Sequence, residues 1–178
     1  MIIALFGVTC VGKTTIGKII SEKLGYEFYD LDSELKSFYN DTITNIFSEY
    51  ICGHTIDTKK AHVLQNILYK CENKTVIAVS PIYYTNTYKQ MFKDKNVFSI
   101  VLQDDPGSIA DRMIYTDNDD NVIEGYKTDK KQEIRVVKHF ISQYKRAYSK
   151  IQQHYYIGGK SAVEAAYEII EIIIQRKS

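Results

Sequence analysis

The chain has 178 residues, of which 44% are hydrophobic and 25% charged, and its formal net charge is +1. A chain of this length predicts one domain, spanning residues 1–178, with a substantial core. The near-neutral charge argues against a nucleic-acid partner. Because no apolar run approaches the ~20 residues that span a bilayer, we expect no membrane partner either.

The cysteines and the start of the chain bear on its location. Cys10, Cys52 and Cys71 are too few and too scattered for a disulfide framework or a zinc site. The apolar start is too short for a signal peptide and has no basic region before it. We therefore expect a cytoplasmic protein, and we expect it to be a monomer.

Five short stretches of β-forming residues alternate with helical patterns. The first, residues 2–6, is a continuous apolar run, as expected for a strand buried on both faces of a sheet. Strands that alternate with helices predict an α/β protein, with a parallel sheet covered by helices on both faces. The other predicted strands cover residues 26–29, 75–79, 97–102 and 154–157.

Hydrophobic residues recur at helical spacing between these strands. The first predicted helix follows a glycine loop and ends at Gly25, a residue typical of a helix C-cap. The last begins at residues 161–164, which match a capping box. The other predicted helices cover residues 33–39, 43–50 and 57–71, a short piece around 88–92, a helix from 105 that carries Arg112, and 134–151.

One polar segment, residues 116–132, has few apolar residues and breaks the helical pattern. We expect it to be a mobile loop. It follows Arg112, a cation that a closing segment could deliver to a reaction. We therefore interpret residues 113–133 as a lid that excludes water from the reacting groups.

The stretch GVTCVGKTT, residues 7–15, satisfies the phosphate-loop pattern GxxxxGK[ST] between a predicted strand and a predicted helix. Gly7 and Gly12 let backbone N–H groups approach phosphate oxygens, and the helix N-terminus favours an anion there. Lys13 is expected to bridge the β- and γ-phosphates, and the Thr14 hydroxyl to hold Mg²⁺. The predicted nucleotide-binding residues are Gly7, Cys10, Val11, Gly12, Lys13, Thr14, Thr15 and Arg112.

Two carboxylates, Asp30 and Asp32, follow the second predicted strand. Spaced at i and i+2 on a strand end, they can serve Mg²⁺ and an acceptor hydroxyl respectively. Asp32 or Ser33 could also cap the helix that follows. The chain has no GTPase base-reading motif of the NKxD type. Together with the lid, these features favour a kinase over an ATPase or a GTPase.

Four segments, in this order and at this spacing, resemble the shikimate kinase family. They are the phosphate loop, FYDLD at 28–32, TITNIF at 42–47 and VLQDDPGSIADR at 101–112. The resemblance covers most of the chain. It implies a three-layer αβα P-loop kinase fold, with a five-stranded parallel sheet in the order 2-3-1-4-5. It also implies ATP and Mg²⁺ as cofactors, and shikimate or a related polyhydroxy compound as the acceptor.

The resemblance also implies roles on the nucleotide side. Lys13 and Thr14 match the family's phosphate and Mg²⁺ residues, and Asp30 matches the aspartate of its metal-water shell. Arg112 matches the arginine that flanks the adenine. Lys13, Arg112 and Asp32 are accordingly the predicted catalytic residues.

On the acceptor side, the resemblance assigns fewer residues. Asp32 matches the aspartate that grips the acceptor's hydroxyls. Arg146, in KRAYSKI, lies near the family's R-x-x-L-Y and is expected to bind an acceptor carboxylate. At the family's other acceptor-binding arginine this chain has Thr58, so Lys59 or Lys60 is expected to substitute as a point charge.

Two further departures from the family pattern concern backbone and lid. Residues 80–82 are Ser-Pro-Ile, where the family has three glycines whose amides approach the acceptor; a proline has no N–H to offer. The family's Arg-Pro-Leu-Leu lid motif is absent. The candidates for a lid cation are Lys127, Lys130, Lys131 and Arg135.

The residues are also compatible with two other functions. One is a nucleoside or nucleotide kinase on the same scaffold. The other is a nucleotide-binding regulatory protein without phosphotransfer, against which the Asp30–Asp32 pair argues, since a pure binder needs no carboxylate for an acceptor.

Overall fold

A parallel five-stranded sheet with the order β2-β3-β1-β4-β5 forms the centre of the molecule. The structure is a computed structural model that describes residues 1–48, 53–71, 73–83, 86–95, 97–124 and 128–176. The strand order and the parallel pairing confirm the predicted architecture. The strands are β1 (Ile2–Phe6), β2 (Glu27–Asp30), β3 (Thr75–Ala78), β4 (Val97–Gln103) and β5 (Gln153–Tyr156).

Helices cover both faces of the sheet, which makes three layers. Within the described ranges, no helix combines the length and apolar character needed to cross a bilayer. The helices are α1 (Lys13–Leu24), α2 (Leu31–Tyr39), α3 (Ile43–Ser48), α4 (Gly53–Lys70), α5 (Asn86–Asp94), α6 (Pro106–Ala110), α7 (Lys130–Tyr148) and α8 (Ala162–Gln175).

The alternation of side chains along β1 separates two hydrophobic cores. Ile2 and Phe6 point to one face, where they pack with residues of α2, α4 and α5. Ile3 and Leu5 point to the other face, where α1 and α8 cover them. All five residues of β1 are buried, as the continuous apolar run predicted. Because β1 is central, the loop that leaves its carboxyl end lies where ligands bind in open α/β sheets.

Several helix ends agree with their sequence signals. Gly25 caps α1 in the left-handed conformation, at φ 64°. Ser161 and Glu164 form the predicted capping box of α8. One prediction is wrong: α6 ends at Ala110 and does not carry Arg112. The Arg112 N–H bonds to Ile109 O at 3.1 Å, an i−3 contact typical of a tightened helix end.

The predicted lid is more structured than a mobile loop. Thr116 and Val122 pair in an isolated antiparallel bridge, and residues 130–132 already belong to α7. Asp129 caps this helix by accepting a hydrogen bond from Lys131 N–H at 3.0 Å. The cap explains why α7 begins four residues before the apolar pattern that starts at Ile134.

Replacing Gly7 with alanine should destabilise the fold by about 1–3 kcal/mol. Gly7 has a φ of 143°, and a Cβ there would lie 2.7 Å from the Leu102 carbonyl oxygen and 2.8 Å from Val11 Cγ1. Gly107→Ala is the matched control, because a Cβ at that site meets nothing within 4 Å. Urea unfolding measures both free energies. Equal stability of the two variants would contradict the packing argument.

Candidate active site

The loop between β1 and α1 is folded tightly around the Lys13 side chain. Gly12 caps α1 in the left-handed conformation, at φ 111°, so the helix starts directly at Lys13. Lys13 Nζ donates to the carbonyl oxygens of Gly7 at 3.0 Å and Val8 at 2.9 Å. The lysine thus lies over the loop beside the N-terminus of α1, where backbone amides and the helix dipole attract an anion.

Burial changes the protonation of Lys13. The residue is 9% exposed, and this desolvation lowers its pKa to about 8, against the opposing charges of Asp32 and Asp30. At neutral pH the lysine is therefore still protonated and positively charged. Bound phosphates would favour the charged form further.

Nucleotide affinity should consequently weaken as the pH rises above about 8. Below this pH Lys13 already carries its proton; above it, phosphate binding requires proton uptake. The dissociation constant for ADP should then rise by up to about tenfold per pH unit. Isothermal titration between about pH 7 and 9.5 measures this, and Lys13→Ala should lack the rise. The same pH dependence in both proteins would contradict the assignment.

Thr14 and Asp30 form the candidate magnesium site. Thr14 Oγ1 donates to Asp30 Oδ2 at 2.6 Å. Asp30 Oδ1 accepts from the backbone N–H groups of Asp32 at 3.0 Å and Ser33 at 3.4 Å, so Asp30 itself caps α2. The expectation that Asp32 or Ser33 caps this helix was wrong. A hydroxyl and one carboxylate beside a phosphate loop fit Mg²⁺, which takes few protein oxygens and completes its shell with phosphates and water.

Asp32 lies in the first turn of α2 rather than on the strand end. Its side chain is partly exposed and lines two cavities. Desolvation raises the pKa of Asp32, while the charges of Lys13 and Lys60 act in the opposite direction. A carboxylate with a raised pKa is better suited than an ordinary aspartate to accept a proton near neutral pH.

The two cavities meet at the end of the sheet. The loop cavity has a volume of about 520 Å³ and the side cavity about 430 Å³. They share Thr9, Asp32, Ser80 and Pro81. The other described residues that line the loop cavity are Cys10, Gly12, Lys13, Thr14, Thr15, Asp30, Ala78, Arg112 and Ile114. Those of the side cavity are Ile43, Phe47, Ile56, Asp57, Lys60, Tyr83, Phe140, Gln143 and Tyr144.

Buried polar groups distinguish the side cavity. Asp57 and Lys60, on α4, are 8% and 6% exposed. Asp57 Oδ2 accepts from Tyr83 N–H at 2.9 Å, and Lys60 Nζ donates to Pro81 O at 2.8 Å. Burial lowers the pKa of Lys60, against the charges of Asp32 and Asp57. Ser80 is 3% exposed, and its Oγ is the buried side-chain oxygen without a hydrogen-bond partner in the described part of the chain.

Aromatic rings form the rest of the side cavity. Tyr83 and Tyr144 have ring centroids 5.2 Å apart, and Gln143 Nε2 donates to the Tyr83 hydroxyl. Burial raises the pKa of Tyr144 to about 12, so its hydroxyl is neutral at physiological pH. Phe47 and Phe140 also face this cavity. The cavity therefore presents flat apolar faces beside a few polar groups, as small-molecule sites do.

Arg112 is held beside the phosphate loop. Its Nε donates to Cys10 O at 3.2 Å, and its NH2 pairs with Asp104 Oδ2 at 2.7 Å. The Asp104 side chain is fully buried, which fixes the guanidinium in place. Arg112 lines the loop cavity, and its role beside the nucleotide stays a prediction.

The lid reaches the first turn of α3. Asp120 Oδ2 accepts from Ile43 N–H at 3.0 Å and lies 3.4 Å from Lys36 Nζ. Of the candidate lid cations, Lys130 pairs with Asp111 and Glu133 instead. Lys131 and Arg135 are exposed, and Lys127 lies outside the described residues.

Two predicted acceptor residues are placed elsewhere. Arg146 is exposed on α7, whereas Gln143 and Tyr144 of the same helix line the side cavity. Lys59 Nζ lies 4.5 Å from the centre of the Tyr39 ring, and its neighbour Lys60 faces the side cavity instead. The structure therefore does not bring Arg146 or Lys59 to the site.

Two residues of the phosphate loop that were predicted to bind the nucleotide, Gly7 and Val11, are not among the described residues that line the loop cavity. The Val11 side chain is fully buried in the core. Gly7 contributes its carbonyl to Lys13 and to the Tyr148 hydroxyl, at 3.0 and 3.3 Å. The remaining predicted loop residues, Cys10, Gly12, Lys13, Thr14 and Thr15, line the loop cavity.

Sequence reasoning missed Asp57, Tyr83, Gln143 and Tyr144 as cavity residues. Asp57 directly precedes Thr58, the residue at the expected arginine position, and a carboxylate two residues before a lysine pair was the available signal. Tyr144 lies within the predicted helix at 134–151, and helical periodicity alone does not separate a core residue from a cavity residue.

Comparison with known proteins identifies shikimate kinases among the relatives of this chain. A model of the shikimate kinase family matches residues 9–174. The chain is 38% identical over 63 residues to shikimate kinase of Bacillus licheniformis, which covers 35% of this chain and 36% of that protein. It is 26% identical over 175 residues to shikimate kinase of Flavobacterium psychrophilum, which covers 96% of this chain and 98% of that protein. The first alignment thus spans about a third of the relative's length, and the second nearly all.

Solved structures agree in fold. Shikimate kinase from Acinetobacter baumannii, in complex with shikimate, is 22% identical and superimposes with a TM-score of 0.76. The superposition covers 99% of this chain and 94% of that one. At this level of identity the likeness shows the shared fold and leaves the acceptor to the chemistry of the site.

Proposed function

This chain belongs to the shikimate kinase family, and from that premise we propose that it transfers the γ-phosphate of ATP to a hydroxyl of a small polyhydroxy molecule. The observation that carries the proposal is the junction of the two cavities at Asp32. One cavity contains the phosphate loop, and the other is the size of a small-molecule site. A carboxylate at their boundary lies where donor and acceptor would meet.

The nucleotide side positions the phosphates. Lys13 and the loop amides hold the β- and γ-phosphates, and Arg112 flanks the nucleotide from its anchor on Asp104. Thr14 and Asp30 would hold Mg²⁺, which would neutralise part of the phosphate charge when bound. These groups stabilise charge that spreads over the transferring phosphoryl group.

The acceptor side orients the nucleophile. Asp32 accepts a hydrogen bond from the acceptor hydroxyl, whose oxygen attacks the γ-phosphorus from the side cavity. The bond between the γ-phosphorus and the β,γ-bridging oxygen breaks, and ADP leaves with that electron pair. The hydroxyl proton passes to Asp32 and then to solvent. The raised pKa of Asp32 suits this proton transfer.

Shikimate or a related polyhydroxy compound is the acceptor class that family membership supports. The Acinetobacter baumannii relative was solved in complex with shikimate. In this chain Asp32 lines the side cavity and can accept hydrogen bonds from the several hydroxyls of such a compound.

Acceptor-dependent ADP release tests the proposal. Purified protein with MgATP is assayed against shikimate, gluconate, nucleosides and nucleoside monophosphates. We expect at least one acceptor to raise ADP release well above the rate with water alone, and Asp32→Ala to abolish that increase. ATP binding without an acceptor-dependent increase, unchanged in Asp32→Ala, would instead indicate a nucleotide-binding protein without phosphotransfer.

A further inference from the structure

The charges in the side cavity point to the chemical class of its ligand. Resting on the proposed phosphotransfer, we propose that the acceptor is a polyhydroxy compound related to shikimate that lacks its carboxylate: the side cavity takes a neutral or positively charged molecule. Among the described residues, the lining contains two carboxylates, Asp32 and Asp57, and one ammonium, Lys60. An anionic acceptor would place a third negative charge among them.

Lys60 is already engaged by groups of the protein around it. Its Nζ already donates to Pro81 O at 2.8 Å and lies 4.9 Å from the centre of the Phe47 ring. The charges of Asp32 and Asp57 both stabilise its protonated form. The ammonium therefore offsets the negative charge of the two carboxylates. An anionic acceptor would still be repelled by these carboxylates at close range.

The arginines of the sequence lie elsewhere, so none supplies the bidentate contact that a carboxylate favours. Arg112 is committed to Asp104 and the Cys10 carbonyl. Arg176 lies 5.1 Å from the centre of the Phe98 ring, far along the chain at the end of α8. The other two, both exposed on α7, are Arg135 and Arg146.

The neutral groups of the side cavity match hydroxyls and carbon-rich faces. Ser80 Oγ is buried and lines both cavities, and it lies close enough to the Asp32 carboxylate to act against the rise in that group's pKa. The serine and the carboxylate can therefore bind one acceptor hydroxyl together. The neutral Tyr144 hydroxyl adds a donor and an acceptor. The rings of Phe47 and Phe140 can cover the C–H face of a cyclic polyol or an ammonium group.

Matched pairs of acceptors that differ in one charge test the proposal. Shikimate is compared with its methyl ester, and glucose is compared with glucuronate, which adds a carboxylate, and with glucosamine, which adds an amine. Binding to the MgADP-loaded protein is measured by isothermal titration, and turnover is measured separately by ADP release. We expect every uncharged compound that binds saturably to bind at least about tenfold more tightly than its anionic counterpart.

A charge variant gives a second readout. Asp57→Asn keeps an oxygen for Tyr83 N–H but removes one negative charge, so the preference for uncharged over anionic acceptors should shrink about tenfold. Glu22→Gln, on the exposed side of α1, changes net charge equally and should leave the preference unchanged.

The outcomes separate this proposal from phosphotransfer itself. Phosphorylation of shikimate with affinity equal to or above that of its ester would overturn the charge proposal and leave the kinase function intact. Tight binding of uncharged compounds without turnover would support the charge proposal and overturn the kinase function. Saturable binding by neither class would overturn the charge proposal as well.

Discussion

Lys13→Ala is expected to lower kcat/KM with ATP by about 10³-fold or more. The Lys13 ammonium is the buried cation that lies over the phosphate loop, and it is still protonated at neutral pH because its pKa is lowered only to about 8. Its removal takes away charge stabilisation that is needed most while the phosphoryl group transfers. The fold should persist, because the apolar contacts of β1 and α1 are untouched. Steady-state kinetics with a thermal unfolding curve measures both.

Lys18→Ala is the matched control for this variant. Lys18 is exposed on the same helix, so its removal changes net charge equally without touching the loop cavity. It should retain activity within about twofold. A fully active Lys13→Ala protein would contradict the phosphate-loop assignment, whatever the control shows.

Asp32→Asn is expected to lower kcat by about 10²–10⁴-fold while ADP affinity stays close to that of the parent protein. The asparagine keeps the size of the side chain but cannot accept a proton. Asp32 lines both cavities, whereas the proposed Mg²⁺ ligands are Thr14 and Asp30. The substitution should therefore lower the rate of phosphoryl transfer more than it lowers nucleotide affinity.

The pH profile distinguishes this role from a structural one. Burial raises the pKa of Asp32, so acid should reduce kcat at a higher pH than an ordinary aspartate would. This acid limb should be missing from the residual activity of Asp32→Asn. Glu34→Gln, on the same helix, should keep both the rate and the limb. If Asp32→Asn lost nucleotide affinity and kcat together, Asp32 would belong to the nucleotide site rather than to the acceptor.

The fold was predictable because local patterns and long-range packing agree. The apolar run of β1 is buried on both faces, and the glycine loop, the helix caps and the alternation of strands and helices each follow from a few neighbouring residues. Strand order came from the family resemblance rather than from the pattern itself. The end of α6 was missed, since a helix end without a glycine cap or a proline carries no strong signal.

The nucleotide half of the site was predictable for a related reason. A phosphate loop is one contiguous segment, so its spacing in the sequence largely determines its geometry. Lys13, Thr14 and Asp30 lie close to the phosphate loop, and Arg112 reaches the loop from the residues that follow α6.

Which residues face the acceptor cavity depends on how each helix is rotated about its own axis. Sequence spacing does not determine that rotation. Successive helical residues point about 100° apart, so Lys60 faces the cavity while Lys59 contacts Tyr39. The same rotation leaves Arg146 exposed and turns Tyr144 inward. Contacts between α4, α7 and the chain after β3 assemble the cavity, and no motif encodes them. The monomeric state and cytoplasmic location stay predictions.

Phosphorus NMR of the reaction products tests the central claim most directly. The protein is incubated with MgATP and the acceptor that raises ADP release most, with Lys13→Ala run in parallel. A new phosphomonoester resonance on the acceptor, growing in step with ADP and missing in the variant, is the predicted result. ATP consumption that yields inorganic phosphate alone, with no ester on any acceptor, would contradict phosphotransfer to a molecule in the side cavity.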